Sequence, residues 1–169
     1  MAMRTGLVLL IPVFLTLLAL WRWKPGAPIL AVVLLAGSAG LIYKLVAKKI
    51  GNRTYRIGVG VAVATVFLLV WMSAAVGGIL GDDPANMMYF GVLLVGLAGA
   101  IIGRLEPQGM SRALFATAFA MALVPAIALL IGTPAVANRA GAVFGLHAVF
   151  ALLFAGSALL FRRAGALRA

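Results

Sequence analysis

Six stretches of this chain contain no Asp, Glu, Lys or Arg, and all are apolar: Leu7–Trp21, Ala27–Tyr43, Ile57–Leu80, Met87–Gly103, Ala113–Gly132 and Ala142–Phe161. A helix crosses the hydrocarbon core of a bilayer with about 20 apolar residues, within a range of about 17–25. Leu7–Trp21 is the shortest and needs flanking sequence to cross. Ile57–Leu80 is the longest and has length to tilt. Strands of membrane barrels alternate apolar and polar residues, and these stretches do not. The sequence therefore predicts an all-α fold, a polytopic transmembrane helix bundle with six spans. Arg4 followed by an apolar run resembles a secretory signal, but no small-residue cleavage site precedes Trp21-Arg22-Trp23-Lys24, so a retained first span is expected.

Composition agrees. The chain is 65% hydrophobic and 10% charged, where soluble domains run near half apolar and about a quarter charged. The net charge of +11 would suggest nucleic acid in a soluble protein. Here the basic residues lie between apolar stretches, where topology signals lie, so no nucleic-acid partner is expected. Of the 14 Lys and Arg, only Arg22, Lys24 and Arg139 fall in the loops of one face, and the rest share the face of the termini. This asymmetry predicts cytoplasmic termini in a bacterial inner membrane. Trp21, Trp23, Tyr89 and Phe90 are expected at the outer interface, and Tyr43 and Tyr55 at the inner one.

The loops are short. Lys44–Arg56 is the longest and marks one division, between a two-helix hairpin over residues 1–50 and a four-helix unit over 51–169. This basic loop is expected to lie on anionic headgroups, making membrane lipids its partners. No internal repeat suggests an inverted-repeat transporter.

The segments Tyr55-Arg56-Ile57-Gly58-Val59-Gly60, Asp83-Pro84-Ala85-Asn86-Met87-Met88-Tyr89, Gly109–Ala118 and Ser157–Arg163 carry a resemblance. From about Tyr55 to Arg163 the chain resembles a group of small, uncharacterised bacterial inner-membrane proteins with four spans. The resemblance implies a four-helix membrane unit. It implies no activity and no catalytic residue.

Lipid tails are as apolar as leucine, so helices associate in the bilayer where small residues let backbones approach. Gly99 and Gly103 form a GxxxG pair; Gly96 with Ala100, Ala36 with Gly40, Gly60 with Ala64 and Gly141 with Gly145 are looser versions. These faces are expected to form tight contacts, within the chain or with another copy or subunit. Pro12 and Pro125 sit inside spans and are expected to kink them.

Two polar spots are candidate sites. Asp82, Asp83 and Asn86 form an outer loop that offers carboxylates to a cation. Equally, Asp83 followed by Pro84 is a helix start, which is the preferred reading. His147 is the only histidine and lies inside the sixth stretch. An intramembrane ionisable group is a functional candidate by default, but a neutral imidazole bonded to a neighbouring helix is preferred. Met72, Met87, Met88 and His147 suit copper(I) in principle; ordinary apolar filling is preferred.

The absences narrow function further. There are no cysteines, which removes thiolate nucleophiles and Cys-ligated metals. One histidine provides neither bis-histidine haem ligation nor a typical zinc site, and no nucleotide-binding Gly-rich Lys motif is present. No catalytic residue, metal or cofactor is expected, and no enzyme activity. The expected function is a structural or accessory membrane protein packing with itself, as a homo-oligomer, or with a larger membrane complex. The alternative is a passive channel or carrier for a small neutral or lipophilic solute, lined by Thr16, Ser38, Thr65, Ser73, Thr117 and Ser157.

Overall fold

Helix starts and stops are written locally in this chain, and they set the architecture. A computed structural model describes residues 28–47, 52–75, 79–80 and 83–167. The helices are α1 (Pro28–Ala47), α2 (Arg53–Ala75), α3 (Met88–Ile102), α4 (Pro107–Leu130) and α5 (Pro134–Ala166), with a 3₁₀ turn at Pro84–Met87 before α3. No strand occurs among the described residues. Asn52 caps α2 by accepting from the Thr54 amide at 2.8 Å. Pro107 and Pro134 open α4 and α5, where a missing N–H costs nothing.

The end of α4 needs a glycine. Gly132 has φ +76°, the left-handed conformation that leaves most side chains strained. Its amide donates to Leu129 and the next amide, Thr133, donates to Ala128. This pairing closes the helix and satisfies its last carbonyls. Three residues therefore suffice to turn α4 into α5.

Four helical stretches are long and apolar enough to cross a membrane: Arg53–Ser73, Pro84–Ile102, Pro107–Leu130 and Val136–Ala166. The described residues support four spans and do not support the count of six. Leu7–Trp21 lies outside them, and α1 contributes the shorter apolar segment Ala36–Ala47 among the described residues.

One expectation is corrected. Thr133–Gly141 is not a loop, because α5 already begins at Pro134. The break lies inside that helix, where Arg139 leaves helical geometry (φ −138°, ψ 36°). By contrast α4 stays helical through Pro125. Tyr55 and Tyr89 both turn into the bundle and are buried there. Each hydroxyl finds an acceptor there, which removes the reason for a tyrosine to seek water.

Helix α5 packs on both α4 and α2; α4 also packs on α3, and α2 on α1. The buried residues form two clusters. One, at the end where α2 begins and α5 ends, includes Tyr55, Val59, Leu105, Met110 and Phe161. The other, at the opposite end, includes Leu80, Tyr89, Val124, Val136 and Val143. Mid-helix residues on the outside stay apolar: Phe119 is 67% exposed and Leu152 70%. Such a surface suits lipid and would associate in water.

The charges are polarised along the bundle. Lys44, Arg53, Arg56, Arg104, Arg112, Arg162 and Arg163 fall at the first end, and Arg139 at the other. At the first end α3 turns into α4 through Arg104 and Leu105, both left-handed (φ 51° and 58°). That conformation costs a residue with a Cβ about 1–2 kcal/mol. Two observed features offset it: the Leu105 amide donates to Ala100, and the Leu105 carbonyl accepts from the Tyr55 hydroxyl at 2.7 Å. Tyr55 is itself fixed edge-on against Phe161, with centroids 4.9 Å apart.

Candidate functional site

The polar interior is built from helix-borne groups that bond either to another helix or to a carbonyl of their own. Tyr89 on α3 and His147 on α5 meet in the cluster away from the basic end. The Tyr89 hydroxyl lies 2.9 Å from His147 Nε2, and His147 Nδ1 lies 2.6 Å from the Val143 carbonyl one turn earlier. A carbonyl only accepts, so Nδ1 carries the proton. In the neutral ring Nε2 then accepts from Tyr89. The rings are roughly parallel, with centroids 5.7 Å apart. Both imidazole nitrogens are thus engaged, and His147 is 1% exposed. The arrangement locks α3 to α5. It leaves no free nitrogen to take a proton from a substrate. The Ser73 hydroxyl is buried without a partner, so no Ser–His relay forms.

The Asp83 turn has the geometry of a helix start. Asp83 is extended, and its carboxylate accepts from the Ala85 amide at 2.8 Å. Asn86 accepts from the Leu80 amide at 3.2 Å. Asp82 lies outside the described residues. Among the described residues no three His, Cys, Asp or Glu side chains gather where a metal would sit. Met72 and Met88 pack against the apolar cluster, while Met87 is exposed.

The glycines divide into two sets. Gly96, Gly99 and Gly103 on α3 face Thr117, Ala113 and Gly109 on α4. A Cβ added at Gly99 would lie 2.6 Å from the Ala113 Cβ, and one at Gly103 would lie 2.7 Å from the Gly109 Cα. At these positions absence of a side chain is what lets the backbones touch. The faces bearing Ala36, Gly37 and Gly40 on α1, and Gly141 and Gly145 on α5, are different. They are exposed, and a Cβ at any of these glycines would meet nothing within 4 Å among the described residues.

No known family, curated protein or solved structure matches this chain.

Of the hydroxyls considered as pore lining, Thr65, Thr117, Ser157 and Ser38 are partnered, while Ser73 is buried without a partner. Thr65 and Thr117 donate to Val61 and Ala113 on their own helices. Ser157 donates across to the Gly58 carbonyl at 2.8 Å, tying α5 to α2. Ser38 is also partnered, and Thr16 lies outside the described residues. Sequence reasoning missed Tyr89 as the partner of His147. The available signal was chemical: a buried histidine needs a donor or acceptor, and tyrosine carries one on an apolar body.

Proposed function

We propose that this chain is a small inner-membrane protein of structural or accessory type, which packs with a second copy or a larger membrane complex. In this reading it has six spans, both termini lie in the cytoplasm, and the basic end rests on anionic headgroups. The bare glycine faces of α1 and α5 carry the proposal. The α3 glycines meet a neighbour within the chain, while Gly40, Gly141 and Gly145 meet none among the described residues. Small residues give helix association its closest contacts in lipid, and an unmatched small-residue face suits a partner helix. The closed hydrogen bonding of His147, Thr65, Thr117 and Ser157 also favours a packing role over catalysis or a wet pore.

Mass measurement of the chain extracted in mild detergent tests this. A dimer or a larger complex is expected. Gly141→Leu with Gly145→Leu should disperse it to monomers without loss of helix. A lone monomer at every detergent concentration would contradict the proposal.

A further inference from the structure

At the basic end the last turn of α5 runs beside the first turns of α4. Gly165 lies against Pro107 and Gln108, where a Cβ would make ordinary van der Waals contact at 3.5 Å. Between the helices is a groove of about 510 Å³ lined by Gln108, Ser111, Arg112, Phe115, Arg162 and Ala166. Three observations say what chemistry it suits.

First, Arg112 and Arg162 both line the groove, and neither has an acidic partner among the described residues. Like charges held together favour an anion between them, and a guanidinium fork matches a phosphoryl group. Second, Ser111 is 6% exposed, lines the groove and makes no side-chain hydrogen bond to a described residue. Its hydroxyl is therefore available to a group seated in the groove. Third, the groove lies at the N-terminal turns of a 24-residue helix, whose dipole and amides favour negative charge. Glu106 precedes that helix but does not line the groove.

The rest of the wall points to a lipid source for the phosphoryl group. Phe115 is part of the groove. Phe119 and Leu123 continue from it along α4, each about one turn further on, and all three are exposed. A soluble anion has no use for that track, whereas an acyl chain does. We infer that the groove seats the phosphoryl group of an anionic membrane lipid, with an acyl chain along Phe115, Phe119 and Leu123. This deepens the membrane reading and rests on it.

Native mass spectrometry of the full chain in detergent, titrated with phosphatidic acid, phosphatidylcholine or inorganic phosphate, tests the inference. Phosphatidic acid should stay bound and phosphatidylcholine should not. Arg112→Gln with Arg162→Gln should weaken phosphatidic acid at least tenfold, Arg112→Lys with Arg162→Lys should keep most of it, and Arg139→Gln should change nothing. Unchanged binding in the Gln double variant, or an equal loss with Arg139→Gln, would overturn the site. Inorganic phosphate binding as tightly as the lipid would overturn the lipid source. A photoreactive phosphatidic acid on the unaltered chain needs no variant to fold: crosslinks at Phe115 and Phe119 are expected, and crosslinks spread evenly over the apolar faces would contradict the site. Failure of the membrane reading shows separately, as a chain that does not sediment with membranes before extraction.

Discussion

Gly103→Ala is expected to break the α3–α4 hairpin. The new Cβ would lie 2.7 Å from the Gly109 Cα. Backbone cannot rotate away as a side chain does, so the helices must separate. Overpacking of cores costs about 1–3 kcal/mol, occasionally more, and a backbone clash belongs at or above the top of that range. Separation would also disturb the left-handed turn at Arg104 and Leu105 and its bond from Tyr55. Gly40→Ala is the control. No described residue lies within 4 Å of the added Cβ, and alanine favours a helix over glycine by about 0.5–1 kcal/mol. Unfolding in mixed micelles by a denaturing detergent reads both. Equal stability of the two variants would contradict the packing described above. Gly99→Ala gives a finer test, because Ala113→Gly removes the 2.6 Å clash with the Ala113 Cβ and should restore part of the loss.

His147→Ala is expected to destabilise the bundle far more than Tyr89→Phe. The latter removes one interhelical hydrogen bond, and such bonds in membrane proteins average about 0.6 kcal/mol, with a maximum of about 1.7. The former removes a ring that is 1% exposed and leaves the Tyr89 hydroxyl without its acceptor. Truncation of a large buried side chain to alanine costs about 2–5 kcal/mol, and a stranded polar group adds about 1–3 kcal/mol. The same unfolding measurement ranks the two. A His147→Ala variant as stable as Tyr89→Phe would mean that the imidazole fills no space.

The helical class and the longest apolar helices were legible because charge-free stretches have one cheap structure in lipid. Helix ends were less so. Hydropathy marks the depth of the hydrocarbon, and helices continue past it. The start of α5 was nonetheless written in the chain: Gly132 in left-handed geometry, then Thr133, then Pro134 as first residue. Thr133–Gly141 reads as a loop because Arg139 interrupts the apolar run, yet the helix begins at Pro134 and breaks only at Arg139. The partners of the tyrosines were not legible, because Tyr55 and Tyr89 bond to Leu105 and His147, distant in sequence.

The candidate sites divide the same way. The capping role of Asp83 followed from adjacent residues, so it was readable. Which glycine stripe meets its own chain was not. Spacing within α3 and α1 looks alike, and the difference lies in what α4 offers opposite, namely Gly109, Ala113 and Thr117. The groove joins opposite ends of two successive helices, and only the packing of α4 on α5 brings Arg112 and Arg162 together.

The chain has no cysteine, so single introduced thiols report sidedness without background. Glu106→Cys lies in the α3–α4 turn at the basic end, and Ala137→Cys lies at the other end; both positions are exposed. In intact cells a membrane-impermeant maleimide should label Ala137→Cys and reach Glu106→Cys only after lysis. The reverse pattern, or labelling of both sites before lysis, would contradict a membrane-crossing bundle with its basic end inside.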